Sequence, residues 1–400
     1  MKNLVYFQSG GPTSVINTSF YGVIKEALKH SKDIGGIYGS LYGIEGLLND
    51  NLIDIRQESE TTIELLKQTP GAILGTTRYK LSEDLNHTDY EKILTTLKKH
   101  QIGYVLVNGG NDSMDTCHKL SQLMEKVGYD CQVLGIPKTI DNDLANTDHC
   151  LGYASAAKFV VQTLQDVAID NLVYNKGKVA IVEVMGRNAG WLTASAALLE
   201  GEVKPDHIYL PEDVFNLEAF LAEVKAVYDQ KKKGLFVVSE GIKWERDLTH
   251  VTKDSFGHAQ LGGIAYSLAD EVKKRFGFST RPIEFSLMQR AASAHISLVD
   301  SKEAIKVSSV AVRKIIKGKT NAMVAIVRVP GTDYKVRYKL HKLKHIANVE
   351  HKMSAELIHD VHHDGTMMKA YLRPLIQGSI KYITHQGVIQ RAILKKVKVK

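Results

Sequence analysis

Three short segments near the start of the chain collect residue types that handle phosphate. Ser9-Gly10-Gly11-Pro12-Thr13 places two glycines together, which lets the backbone curl close to an anion. Taken alone, the glycine pair also suits a simple tight turn, and it has neither the dinucleotide fingerprint nor the P-loop spacing. Val107-Asn108-Gly109-Gly110-Asn111-Asp112-Ser113 repeats the arrangement of strand, glycines and helix start. Gly135-Ile136-Pro137-Lys138-Thr139-Ile140-Asp141-Asn142-Asp143 packs a base, a hydroxyl and two carboxylates into one loop. The alternating spacing of Asp141 and Asp143 aims one carboxylate at a substrate hydroxyl and leaves the other to fix a neighbour or a metal-bound water. Later in the chain, Met185-Gly186-Arg187, Ser239-Glu240-Gly241 and Gln289-Arg290 add guanidinium groups and a carboxylate.

These motifs need a scaffold that ends strands and begins helices beside one another, because backbone N–H groups face anions at that edge of an open α/β sheet. The hydrophobic rhythm supplies one. Strands are expected at Leu4–Gln8, Ala72–Leu74, Tyr104–Val107 and Val133–Ile136, with helices at Val15–Leu28, Tyr90–Lys99 and Met114–Val127. The alternation resumes with helices at 154–169, 192–199, 217–230 and 264–276 and strands at 179–184, 207–210 and 235–239. The expected fold class is α/β: two lobes of parallel-rich sheet flanked by helices, with an active site in the cleft between them.

Composition narrows the class. The chain has 400 residues, 44% hydrophobic and 24% charged, enough apolar mass for two cores. Its apolar start is too short for a signal peptide and no run approaches a membrane span, so a cytoplasmic protein is expected. Cys117, Cys131 and Cys150 are odd in number and lack Cys-x-x-Cys spacing, which argues against disulfides or a zinc ribbon. The net charge of +8 collects toward the carboxyl end, between 339 and 352 and between 395 and 400, without a nucleic-acid recognition signature. His359, His362 and His363 with Asp360 and Asp364 lack a metal-ligand spacing and read as solvated surface. No nucleophile elbow or His-Glu-x-x-His motif is present to anchor a hydrolase.

The six ordered motifs, from Gly10-Gly11 to Gln289-Arg290, resemble the phosphofructokinase family, and within it the pyrophosphate-dependent branch, over residues 1 to about 310. The resemblance implies a reversible phosphoryl transfer from pyrophosphate to the 1-hydroxyl of fructose 6-phosphate, with Mg2+ as cofactor. It divides the chain into a donor lobe over 1–138 completed by later segments, a fructose 6-phosphate lobe over about 139–310, and a segment over 311–400 packing on the lobes. Asp141 becomes the general base, assisted by Lys138 and Asp112. Gly11, Gly110 and Arg78 become pyrophosphate contacts, and Asn111 and Asp112 the metal candidates. Thr139, Ile140, Asp141, Lys178, Met185, Gly186, Arg187, Glu240, Arg281, Leu287, Met288, Gln289 and Arg290 line the sugar phosphate. Phosphoryl transfer depends on positioning and on neutralising a charged transition state, and these residue types provide both.

Two positions select the donor. ATP-using relatives resemble Gly-Gly-Asp-Gly-Ser where this chain has Asp112, and a carboxylate there clashes with and repels an α-phosphate. Lys138 replaces a small residue and can neutralise the leaving phosphate. Three departures stand out: Asn111 where relatives have an aspartate, Lys178 where a neighbouring subunit often supplies an arginine, and Leu287-Met288 in place of an aromatic or histidine and an aliphatic residue. An ATP-dependent 6-phosphofructokinase and an inactive sugar-phosphate-binding regulatory subunit are the competing readings. The shared pocket implies a homodimer or homotetramer, with no nucleic-acid or membrane partner.

Overall fold

The structure is a computed structural model and describes residues 1–244, 263–331 and 333–400. Its main strands are β1 (Lys2–Gln8), β2 (Ile34–Ser40), β3 (Leu52–Asp54), β4 (Ile102–Gly109), β5 (Gln132–Thr139), β6 (Leu151–Gly152), β7 (Val179–Val184), β8 (His207–Tyr209), β9 (Gly234–Ser239), β10 (Thr280–Glu284), β11 (Ala322–Arg328) and β12 (Val336–Lys342). The longer helices are α1 (Ile16–Lys29), α2 (Thr88–Lys99), α3 (Asn111–Val127), α4 (Tyr153–Leu172), α5 (Leu217–Lys231), α6 (Ile264–Phe276) and α7 (Leu298–Ile315).

The described chain divides into two compact units. Unit 1 comprises Met1–Gly152, Ile296–Glu350 and Gly378–Lys400, and unit 2 comprises Tyr153–His295 and His351–Gln377. The first unit overlaps the donor lobe expected over 1–138, and the second overlaps the sugar-phosphate lobe expected over 139–310. The first unit runs on to Gly152, and later segments return to it because β11 pairs parallel with β5 and Val397 and Val399 bond to Asp54 and Leu52 beside β3. Periodicity locates strands; it does not say which sheet a distant strand will join.

In unit 1 the strand order is β12-β11-β5-β4-β1-β2-β3, parallel from β11 to β2 with antiparallel strands at both ends. Alternate residues feed two cores. Leu4, Tyr6, Leu106, Leu134 and Val324 meet Phe20 and Ile24 of α1 and Val307 and Val312 of α7. Val5, Phe7, Val105, Val107 and Met323 meet Ile93 of α2 and Met114 and Leu120 of α3. Burial on both faces is what turns β4 into a continuous apolar run. Unit 2 holds a parallel sheet in the order β10-β7-β9-β8, with Val179, Ile181, Phe236 and Val238 packed on Phe220 and Val224 of α5 and Leu268 and Val272 of α6.

The strand expected at Ala72–Leu74 is instead a loop, fastened by buried side chains. Asn17 is fully buried; its Nδ2 donates to the carbonyls of Thr69 and Gly71 at 2.8 and 2.6 Å, and its Oδ1 accepts from Gln8 and from the Ile73 N–H at 2.8 and 3.1 Å. Gln8 Oε1 accepts from the Leu74 N–H at 3.2 Å. Asn17→Ala strands these groups in a site without water access. It should lower the stability of unit 1 by about 2–4 kcal/mol in denaturant unfolding, with the Arg78 loop gaining protease sensitivity.

Candidate active site

Strand register assembles the first three motifs. Gln8 lies opposite Asn108 and Gly109 opposite Pro137, so the residues after β1, after β4 and at the end of β5 emerge side by side at one carboxyl edge. The chain passes from β1 to β2 on one side and to β4 on the other, making the β1/β4 crevice the point where strand order reverses. Ligands of open α/β sheets bind at such points. Gly10 has a φ of +75°, which suits only glycine, and α3 begins at Asn111 behind Gly110 with no side-chain cap, leaving its first N–H groups for an anion. A Cβ on Gly109 would sit 2.0 Å from Ser113 Oγ, so this glycine is required for the helix to start here.

Lys138, only 2% exposed, donates from Nζ to the Gly11 carbonyl at 2.6 Å and so ties the end of β5 to the first glycine loop. The same loop is tied to Arg78. Thr76 Oγ1 donates to the Gly10 carbonyl at 2.7 Å, the Gly10 N–H donates to Thr77 at 3.2 Å, and Thr77 Oγ1 donates to Glu45. Beyond Arg78, Lys119 of α3 holds the Leu81 carbonyl at 3.1 Å and Glu83 at 2.6 Å. Glu45 and Lys119 carry no motif signal, and the sequence reading passed over them.

Asp141 sits half-buried behind a turn in which its N–H donates to Thr139 Oγ1 at 3.1 Å. Asn142 adopts φ +57°, and its Oδ1 accepts from the Cys150 N–H at 2.8 Å. The Cys150 thiol is pushed up by burial and further by the charges of Asp143 and Asp141, against an opposing pull from Lys138. Asp143 Oδ1 is buried with no hydrogen-bond partner. Asn111 Nδ2 has only long contacts to Asp143, 3.4 Å to Oδ2 and 3.5 Å to the carbonyl; turned over, the amide donates to Ile346 and Val349 at 3.1 Å each. The turned amide is the better arrangement, and it faces the Asn111 oxygen toward Asp143.

The turned Asn111 oxygen facing Asp143 Oδ2, beside an unpartnered Oδ1 on the same carboxylate, calls for a proton or a cation there. Such oxygen donors fit a small hard divalent ion. Among the described residues, no three His, Cys, Asp or Glu side chains converge on a metal position, so an ion here would draw its remaining ligands from phosphate oxygens and water. Of the two sequence candidates, Asn111 reaches this point. The Asp112 carboxylate, in the first turn of α3, makes no hydrogen bond or ion pair among the described residues, and Asp143 takes the place beside Asn111.

The remaining motifs belong to unit 2. Val184 lies opposite Ser239, so Met185-Gly186-Arg187 and Glu240-Gly241 leave the same edge. Gly186 (φ +140°) donates its N–H to Glu240 Oε1 at 3.3 Å, and its carbonyl accepts from Ser239 Oγ at 2.6 Å. A Cβ on Gly241 would fall 2.0 Å from the Arg187 carbonyl. Gln289, 2% exposed, accepts from the Met185 N–H at 3.2 Å, joining the Gln289-Arg290 turn to this edge, while Leu287 and Met288 point outward at 58% and 57% exposure. Arg187 Nε is buried without a hydrogen-bond partner. Lys178 and Arg281 lie elsewhere: Lys178 precedes β7 and Arg281 pairs with Ala180, which puts both at the amino edge, about 20 Å from Met185 along the strand.

The phosphofructokinase profile matches residues 3–315. Pyrophosphate–fructose 6-phosphate 1-phosphotransferase of Methylococcus capsulatus is 39% identical over 390 residues, 94% of this chain and 92% of that protein. Its namesake in Xanthomonas campestris is 40% identical over 94% and 92%. The crystal structure of the pyrophosphate-dependent phosphofructokinase from Nitrosospira multiformis is similar with a TM-score of 0.89 at 36% identity, covering 100% of this chain and 98% of that one. The chain belongs to the phosphofructokinase family. Within it the similar proteins named are of the pyrophosphate-dependent kind, and phosphotransferases of this family generally work with a divalent metal.

The Asp143 carboxyl is pushed up to about 7, first by burial and then by the charge on Asp141. A raised acid favours the protonated fold: the stability it contributes is full below the unfolded value near 4 and is lost as pH rises toward 7. A cation must displace that proton. Mn2+ titrated calorimetrically should therefore bind roughly tenfold more weakly at pH 6 than at pH 8 and release a proton only at the lower pH, and Asp143→Asn should remove that difference.

Proposed function

We propose that this chain transfers a phosphoryl group from pyrophosphate to the 1-hydroxyl of fructose 6-phosphate, giving fructose 1,6-bisphosphate and phosphate reversibly. The observation that carries the donor is the side-by-side emergence of Gly11, the Gly110–Asp112 helix start and Lys138 from one sheet edge. Glycine loops and free helix N–H groups accept a short polyphosphate, while the unpartnered Asp112 carboxylate at the second helical position repels any chain that extends past two phosphates.

In this reading Asp141 accepts the proton of the 1-hydroxyl as that oxygen attacks phosphorus in line. Thr139 holds Asp141 from behind through its hydroxyl. Lys138, with Arg78 beside the latched Gly10 loop, balances the charge that builds on the leaving phosphate. Asn111 and Asp143 would hold Mg2+, which when bound neutralises charge on the phosphates. Glu240 accepts from sugar hydroxyls, and Arg187 and Arg290 take the sugar phosphate, with the backbone at Met185 and Gly186 fixed by Gln289 and Glu240.

Lys178 and Arg281 can join a sugar-phosphate pocket only in another copy of the chain, because they lie at the wrong edge of their own sheet. We therefore propose a homo-oligomer with shared sites. The exposed apolar residues Ile169, Val173 and Tyr174, close in sequence to Lys178, support this. The described cysteines are all buried free thiols, which suits a reducing cytoplasm.

Steady-state assays with Mg2+ and fructose 6-phosphate should give turnover with pyrophosphate and little with ATP. Asp112→Gly should raise kcat/KM for ATP at least about tenfold. A wild-type preference for ATP would reverse the donor assignment. Turnover with neither donor, alongside stoichiometric sugar-phosphate binding, would favour the regulatory subunit.

A further inference from the structure

His149 is fully buried, yet both of its ring nitrogens face carboxylates. Nδ1 lies 2.8 Å from Asp148 Oδ1 and Nε2 lies 2.6 Å from Glu303 Oε2. Only the doubly protonated ring can donate to both. The surroundings complete a closed set of charges. Arg328 of β11 grips Asp148 through Nε at 3.0 Å to Oδ2 and through Nη2 at 3.0 Å to Oδ1, and Tyr334 donates to Glu303 Oε1 at 2.6 Å beneath the Arg328 guanidinium. The Tyr338 hydroxyl of β12 is pushed up by burial and then by the charge of Glu303. Burial pulls the imidazole down, but the charge of Glu303 and the bonds to Asp148 and Glu303 outweigh it and lift the ring to about 10.

This cluster stands at the exit of the loop that carries Asp141. The Asp148 N–H donates to the Ile326 carbonyl at 2.8 Å, and the Ile326 N–H donates to Thr147 Oγ1 at 3.0 Å, which sews the exit onto β11. One turn before Glu303 on α7, the fully buried Asp300 accepts the Gly152 N–H at 3.0 Å. Cys150, immediately after His149, donates to Asn142, the neighbour of Asp141. A displacement of His149 is thus passed through one residue and one hydrogen bond to the residue next to the general base.

We propose that His149, held as an imidazolium between Asp148 and Glu303, is a positioning residue that fixes where the Asp141 carboxylate stands during transfer. The inference rests on the reading of Asp141 as general base. The price of burying a charged ring without catalytic contact is explained by what it holds: α7, β11 and the loop meet at this one cation. A neutral side chain at 149 can bond one carboxylate and leaves the other buried and unpaired.

The test uses His149→Gln, Glu303→Gln and the milder Tyr334→Phe in the full-length chain. His149→Gln and Glu303→Gln should each lower kcat about 30- to 100-fold, the scale of a small misplacement of a reacting group, with KM for fructose 6-phosphate and pyrophosphate within about threefold. Tyr334→Phe should lower kcat about two- to fivefold. The double variant His149→Gln/Glu303→Gln should be no worse than the poorer single, because both break one unit. By NMR, the His149 ring of the wild type should stay doubly protonated from pH 6 to 9. Wild-type kcat in the first two variants, a loss confined to KM, or a ring that is neutral at pH 7.5 would each overturn the proposal. If His149→Gln does not fold, Tyr334→Phe and the NMR signal decide it. A wild type inactive with pyrophosphate would instead sink the proposed function, whereas an active wild type with an unaffected His149→Gln sinks only this inference.

Discussion

A single lysine ammonium, buried at the carboxyl edge of a parallel sheet, sets the geometry on which the residues proposed to handle the donor depend. Lys138 sits at the end of β5 and reaches across to the carbonyl of Gly11, two strands away in the sheet order. The reach is possible because parallel register delivers both strand ends to the same edge, and Gly10 turns the first loop there through a left-handed conformation that favours glycine. A buried ammonium is costly in an apolar interior and tolerable beside backbone carbonyls. Its position brings a fixed positive charge to a place where phosphate would gather negative charge.

The rest of unit 1 works to hold that edge still. Asn17 and Gln8 fasten the loop leading to Arg78, Lys119 fastens the segment after it, and α7 with β11 fastens the exit of the Asp141 loop. These bonds come from residues with no chemistry of their own. Preorganised polar groups are effective because they need not rearrange when charge develops. Unit 2 follows the same logic on a smaller sheet, where Gly186 and Gly241 allow close backbone approach and Gln289 and Glu240 anchor the turns around Arg187.

Much of this was legible in the sequence, because the glycine-rich turns and the period-two strands obey local rules. Helices near Ile16–Lys29, Thr88–Lys99 and Asn111–Val127 and the parallel strands β1, β4 and β5 were readable from pattern alone. The gaps have physical causes. β2, Ile34-Gly35-Gly36-Ile37-Tyr38-Gly39-Ser40, hides behind its glycines, and Ala72–Leu74 has strand composition but finds its hydrogen bonds in Asn17 and Gln8 rather than in a neighbouring strand. The return of β11 to the first sheet is a long-range pairing that no local pattern encodes. Asp143 stands out beside Asn111 only in three dimensions, because burial and an unpartnered oxygen are not written in any local pattern.

The most direct test of this account is Lys138→Met, which keeps the volume and removes the charge. Pyrophosphate-dependent kcat should fall about 10²–10³-fold, with fructose 6-phosphate binding within about threefold of the wild type. A variant that turns over pyrophosphate at nearly the wild-type rate would contradict the account at its centre, for the buried ammonium would then be a packing feature and the donor would be held by other means.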